Sequence, residues 1–554
     1  PNATSAQLAI RNAQTGDSAS YYAVVSNSSG SIASATASLL VVSAMTATSV
    51  LPYPAQANLC PDTPLLIRFD QAPQVGKTGK IRVYNSRGVV VDTIDMAANP
   101  QALLVGGFQF NYFPILVSGN TATIQLHQQL PYGDSYSVTV DPGVFTDSSG
   151  APYGGLNDGN LWHFAIRNAL PGSGDSALTV DADNLGSFCT IQGAIDSVPA
   201  NNTQPTTITV HQGTYTGIVY VPSSKPFITV RGQDRDNTVI QYPNNNSLNP
   251  STVGRALFGD DAADFTLENI TLRNTTPHGG SQAESFRSNA NRVLLNRVNL
   301  YSYQDTLLMQ GAGFVTHSFI EGDVDFIWGT GPAFIQNSEL KAATSGGYYT
   351  QIRNPQGQAG FVFLNDRLTS EPGVTGMYLA RIDPGVFPYS QVVYINAAMD
   401  GHILPAAWLL NNASTAPAVR FWEYNSTDLS GAPLDVSQRA TFSRQLTSQE
   451  ATQWSDPAFV LGGWVPYTVN VTAAAGPVIT VNWSAASNHS ATDAVRLYRV
   501  ADPDSSPVSS QAIGSLSTGR LIFTLPAGPG QYEFRLFQNG GVTRVATSGI
   551  INVQ

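Results

Sequence analysis

The chain of 554 residues carries 27 Lys and Arg against 38 Asp and Glu, a formal charge of −11, with 12% of its residues charged and 42% hydrophobic. At roughly 100–200 residues per domain this length predicts about three to five domains, and low charge with ample apolar content excludes intrinsic disorder and coiled coil. No Lys/Arg cluster could track phosphates and no run of about 18 apolar residues occurs, so neither a nucleic-acid partner nor a membrane span is expected.

In chain order, residues 1–43 read as the last strands of a truncated Ig-like module. The run from Asp17 to Ala23 resembles the Asp-x-Gly-x-Tyr-x-Cys corner of such sandwiches, with Tyr21 at the tyrosine. Pro1 reads as a processing boundary, because no charged-then-apolar signal follows it. Residues 44–170 are again strand-like, and Tyr136 to Gly150 resembles a late stretch of bacterial Ig-like modules. Asn168 to Ser176 has the composition of a linker. Cys60 and Cys189, in different modules, are not expected to form a disulfide framework.

From 175 to 466 the pattern changes. Thr190 to Val198 places apolar residues at helical spacing before Pro199, which predicts one short amphipathic helix. Beyond it, an apolar column of Leu267, Leu295, Val315, Ile335 and Phe363 is followed five positions later by a second, Leu272, Leu300, Ile320, Leu340 and Leu368. The offsets of 28, 20, 20 and 28 fit coils of a solenoid whose loops vary in length. The expected fold class is therefore all-β, with a right-handed parallel β-helix capped by the helix and flanked by β-sandwiches. Residues 467–554 read as a small fibronectin-III-like sandwich, with Trp483, Tyr498, Tyr532 and Phe537 in its core.

Polar residues one coil apart stand over one another. Gln282, Gln304, Asp305 and Asp325 recur at 20–22 positions, which predicts two carboxylates and two carboxamides on neighbouring coils. Close carboxylates cannot both ionise freely, so the pair divides into an ionised nucleophile or base and a protonated acid, and neutral amides suit a developing oxyanion. No G-x-S-x-G elbow and no H-E-x-x-H zinc motif is present.

The motifs Gln304-Asp305-Thr306-Leu307, Asp325-Phe326-Ile327-Trp328-Gly329, Gln282-Ala283-Glu284-Ser285-Phe286 and Gly213-Thr214-Tyr215 together resemble the pectin methylesterases, over about residues 176–466. That resemblance implies an esterase acting on homogalacturonan methyl esters, with Asp325 as nucleophile and Asp305 as acid and then base. Gln282 and Gln304 would serve as oxyanion donors and Arg381 would orient Asp325. Trp328, Tyr215, Phe286 and Asp383 are the expected substrate contacts. No metal and no organic cofactor is expected. A secreted, extracellular monomer follows, its sandwiches serving as spacers or as anchors to a surface or glycan. A non-catalytic glycan-binding β-helix and a calcium-dependent pectate lyase are the alternatives. Three positions depart from the family pattern: "LGRPW" reads Leu379-Ala380-Arg381-Ile382-Asp383, "GxYxE" ends in Gly217, and Glu284 adds a charge near Gln282. They bear on subsite preference more than on the chemistry.

Overall fold

Each coil of the central region is built from two apolar residues five positions apart with a left-handed residue two places after the first. Asn269 (φ 57°), Arg297 (54°), His317 (51°), Asn337 (51°), Asn365 (58°), Asn396 (52°) and Asn425 (53°) hold this corner on successive coils. Asparagine tolerates that backbone region better than most side chains, because its short amide bonds locally. Asn396 donates to Asn365 Oδ1 at 3.1 Å and Asn425 to Asn396 Oδ1 at 2.9 Å, so the corner residues also stack as a ladder.

The computed structural model describes residues 7–10, 13, 17–39, 45–169, 177–475, 477–539, 541 and 543–553. Most of the expected linker at 168–176 and the junction at 40–44 lie outside them. The corner bends a 17-stranded parallel sheet that runs from Ala177–Val180 to Arg444–Gln445. Opposite it runs an eight-stranded parallel sheet, from Val219–Val221 to Trp408–Leu410. Both apolar columns are strand-paired in register: Leu267, Leu295, Val315, Ile335 and Phe363 form one ladder, and Leu272, Leu300, Ile320, Leu340 and Leu368 the other. All ten are fully buried. This is a parallel β-helix. The helix Ile191–Ser197, N-capped by Thr190, lays Ile191, Ala194 and Ile195 over its first strands.

The N-terminal sandwich packs sheets of five and four strands around Trp162, Phe69, Val83 and Val138. Tyr136 closes a corner by donating its hydroxyl to Pro131 O at 3.0 Å, as Tyr21 does to Asp17 O at 2.7 Å in the short strands before it. The expectation about the cysteines is overturned, because Cys60 and Cys189 form a disulfide. The sandwich seats on the helix cap, where the Asp62 carboxylate accepts from the amides of Cys189 and Thr190 at 3.0 and 2.8 Å. That docking brings residues 129 apart in sequence to a Cα separation of 5.8 Å. A hairpin of the sandwich, Gln101–Val105 with Phe108–Tyr112, adds Val105, Phe110 and Tyr112 to the β-helix core.

The C-terminal strands form antiparallel sheets of three and five strands, and Trp483, Tyr498, Tyr532 and Phe537 are all buried. Arg297 at a coil corner donates to Asn470 Oδ1 at 2.9 Å, and Asn470 donates to Asn296 Oδ1 at 2.9 Å, fastening this sandwich to the coils.

A disulfide closing so long a segment constrains the unfolded chain strongly. Replacing Cys60 and Cys189 together by Ser is expected to lower stability by about 2–5 kcal/mol. Denaturant unfolding of the double variant beside wild type under non-reducing conditions measures this.

Candidate active site

Side chains on the eight-stranded sheet alternate between the coil interior and an outward face. Arg287, Leu308, Trp328 and Gln351 follow one another in register along the outward column. Thr350 pairs with Ala380, which sets Arg381 beside Gln351 on the next coil. Between Val324 and Ile327 the ladder carries one extra residue relative to Tyr348 and Thr350. This bulge holds Asp325 at φ 49° and turns its carboxylate onto the outward face. Asp305, at φ 70°, sits one coil earlier and donates its amide to Val324 O at 3.1 Å. Gly329 ends the motif for a packing reason: a Cβ there would lie 1.8 Å from Met309 O.

Arg381 clasps Asp325 with Nε at 2.9 Å from Oδ1 and Nη2 at 2.5 Å from Oδ2. Gln351 donates a further hydrogen bond to Oδ2 at 2.9 Å, while its own Oε1 accepts from Arg353. The Arg381 guanidinium lies 4.2 Å from the centre of the Tyr348 ring, which stacks on Tyr378. Burial pushes the Asp325 carboxyl up on balance, and the hydrogen bonds and charge of Arg381, with the charge of Arg353, offset part of that rise.

Asp305 is less well compensated. Its one charged hydrogen-bond partner among the described residues is Arg255, whose Nη2 is 2.7 Å from Oδ2. That guanidinium is shared with Glu284, held by Nε at 2.9 Å and Nη2 at 2.7 Å. Burial first, then the negative charge of Glu284, push the Asp305 carboxyl up to about 8, with Asp325 adding to the rise and Arg255 and Arg353 opposing it. Two buried carboxylates on adjacent coils thus face different surroundings: both are pushed up by burial, but Asp325 is offset by the Arg381 clasp while Asp305 rises to about 8.

The structure stacks Gln282 and Gln304 on the coils before Asp325, with Ala283 N donating to Gln304 O at 3.1 Å. Both side chains are half-buried, and the Gln304 carboxamide has no hydrogen-bond partner among the described residues. Trp328 is 5% exposed, its ring against Arg353 at 4.8 Å and Arg255 at 5.4 Å. It forms a floor under two guanidiniums and offers little open face to a sugar.

Two expected contacts are buried away from the carboxylates, and a third has hydrogen-bond partners of its own. Phe286 is fully buried, packed on Phe258 and Phe265, because its position alternates inward. Tyr215 is buried near the helix cap and donates to His211 O at 3.0 Å, well away from the carboxylates in the stacking order. Asp383 lies two residues beyond Arg381, yet its carboxylate is taken up by the amide of Gly385 at 2.9 Å and by Asn412 at 2.8 Å. Glu284 does not project toward substrate; it lies buried under Asp305. Gln351, Arg353 and Arg255 escaped sequence reasoning. Gln351 follows Trp328 by one more coil interval, a signal that extending the count would have found, whereas Arg255 lies on an irregular loop with no periodicity.

A parallel β-helix that presents an arginine-clasped carboxylate, a second buried carboxyl raised to about 8 and neighbouring amides fits a carboxylic ester hydrolase. The pectinesterase family model matches residues 177–463, and a bacterial Ig-like domain model matches residues 41–165. The chain belongs to the pectinesterase family. It is 33% identical over 294 residues to pectinesterase 31 of Arabidopsis thaliana, covering 51% of this chain and 91% of the relative. It is 29% identical over 313 residues to pectinesterase 2 of Olea europaea, covering 53% and 83% respectively. Among solved structures, a pectin methylesterase from carrot aligns at 25% identity with a TM-score of 0.48, over 54% of this chain and 95% of that one. One from Yersinia enterocolitica aligns at 27% with a TM-score of 0.44, over 50% and 100%.

Gln351→Ala removes one hydrogen bond to the Asp325 carboxylate. If the same about 1.5–3 kcal/mol that a hydrogen bond to a charged group is worth is lost in the transition state, ester hydrolysis is expected to slow by about 10- to 150-fold, and the melting temperature to fall no more than that loss allows. Initial rates and thermal melts of the same preparation decide it.

Proposed function

We propose that the chain hydrolyses the C6 methyl esters of homogalacturonan to free carboxylates and methanol, with Asp325 as nucleophile and Asp305 as acid and then base. The observation that carries this reading is the unequal treatment of the two carboxylates: Arg381 holds Asp325 for attack, while burial and Glu284 keep the proton on Asp305.

In this sequence of steps an Asp325 oxygen attacks the ester carbonyl carbon, and the carbonyl electron pair moves onto oxygen. The carboxamide N–H groups of Gln282 and Gln304 receive that oxyanion. Collapse breaks the bond to methoxide, which takes the Asp305 proton and leaves as methanol. Asp325 is then joined to the uronate as a mixed anhydride. Asp305, now a carboxylate, takes a proton from water as the water attacks, and Asp325 is released. Every step proceeds with residues of this chain alone.

We further infer module limits of 1–43, 44–170, 175–466 and 467–554, and action outside the cell as a monomer. The disulfide supports an extracellular setting, since such bonds persist in oxidising compartments. Among the described residues no helix is long and apolar enough to cross a membrane.

Methanol release from highly methylated pectin tests the activity. Asn accepts the left-handed backbone that Asp325 occupies, so Asp325→Asn is expected to fold normally and lose about 10³-fold or more in kcat. Wild-type turnover is expected to persist in chelator. A folded wild type that releases no methanol, or an Asp325→Asn variant as active as wild type, contradicts the reading. The pH profile follows with a definite sign: kcat rises with pH as Asp325 ionises, then falls on a basic limb near pH 8 as Asp305 loses its proton.

A further inference from the structure

The loop that carries Arg255 leaves the strand Thr238–Tyr242 and enters the strand Phe258–Asp260. Amide side chains hold its shape. Asn244 donates to the carbonyl of Gly254 at 2.8 Å and to that of Ala256 at 2.6 Å, gripping the backbone on both sides of Arg255. Asn274 joins Asn244 O at 2.6 Å to Glu284 O at 3.0 Å, so the two members of the ion pair hang from one amide frame. Asn249 donates to Asn244 Oδ1 at 2.7 Å. It also exchanges two hydrogen bonds with the backbone of Asn111: Asn111 N to Asn249 Oδ1 at 2.8 Å, and Asn249 Nδ2 to Asn111 O at 2.9 Å.

Asn111 belongs to the N-terminal sandwich, on the hairpin strand Phe108–Tyr112. The same hairpin packs Phe108 and Phe110 against Tyr220, tilted and edge-on, at 5.8 and 6.0 Å between ring centres. Tyr220 heads the outward column that runs through Gly259, Arg287 and Leu308 to Trp328. A continuous path of hydrogen bonds therefore runs from the backbone of Asn111 in the sandwich, through the buried amides of Asn249 and Asn244, to the backbone on both sides of Arg255.

We propose that Arg255 is a positioning residue for the proton transfers of Asp305, and that the N-terminal sandwich holds it in place through Asn111, Asn249 and Asn244. The proposal rests on the reading of Asp305 as acid and base. The sandwich is then a working part of the catalytic unit and not a spacer. Charged groups face Asp305 from every side: Arg255 from the clamped loop, Glu284 from the coil before, Asp325 from the coil after and Arg353 from beyond Trp328, with Arg381 behind Asp325. Among the described residues, Arg255 is the one cation that donates a hydrogen bond to Asp305. Its loss leaves Asp305 beside two acids, which raises its affinity for the proton.

The test uses the full chain and two readouts. Infrared difference spectra across a pH titration, with Asp305→Asn subtracted, follow the Asp305 carboxyl without any turnover. Methanol release gives kcat, KM and the basic limb. For Arg255→Gln the Asp305 titration and the basic limb are expected to move up by about one pH unit or more, with kcat at least about ten-fold lower. Arg255→Lys, which keeps the charge, brings both readouts most of the way back to wild type. Asn249→Ala moves both readouts in the same direction by less, with KM near wild type. A fall in melting temperature with the Asp305 titration unmoved in Arg255→Gln overturns the role of Arg255 and makes the ion pair structural. A shifted titration in Arg255→Gln with Asn249→Ala identical to wild type overturns the role of the sandwich. A wild type that releases no methanol sinks the functional reading separately, and the infrared titration still decides the placement of Arg255.

Discussion

Parallel strands stacked at one spacing of about 4.8 Å are the constraint on which everything else in this molecule depends. Each coil repeats the same turn, so a residue finds its counterpart directly above and below it for the length of the solenoid. Inward, this makes continuous apolar ladders such as Leu267 to Phe363. Outward, it lets five coils each contribute one or two polar groups to a single patch. Arg255 is added to that patch from a loop, while the groups on the coils need no chain to fold back.

Stacking also imposes a cost, because it places two carboxylates on adjacent coils in poorly hydrated surroundings. Isolated charges are not stable there, so each must be paired or protonated. The chain does one of each. Asp325 is matched by Arg381 and by Gln351, whose carbonyl oxygen is in turn fixed by Arg353. Asp305 shares its guanidinium with Glu284 and stays neutral at moderate pH. The bulge at Asp325 and the left-handed backbone at both acids show the sheet giving up regular pairing where side chains must be aimed.

The periodic part of this architecture was legible in the sequence, because burial on a repeating coil writes itself as apolar columns. Both columns, the capping helix and the succession of Gln282, Gln304, Asp305 and Asp325 follow from spacing alone. What spacing could not show is where an irregular segment folds. Arg255 reaches Asp305 from a loop held by asparagine side chains, and nothing in its position along the chain announces that. Tyr215 and Phe286 were placed at the substrate because motifs name residues without saying which way they alternate; the pleat turns Phe286 inward. Cys60 and Cys189 were kept apart because the sandwich was treated as an independent body. Its docking surface is spread over Asp62, Gln125 and the hairpin. Gly217, which stands where the family pattern has glutamate, lies against Gln125, whose amide would crowd any Cβ there at 2.9 Å.

The division of charge between two stacked carboxylates is the centre of this account, and neutron diffraction from deuterium-exchanged crystals at neutral pH reads it directly. The account predicts a deuteron on the Asp305 carboxyl and a bare Asp325 carboxylate between Arg381 and Gln351. A deuteron on Asp325, or two bare carboxylates, would contradict it.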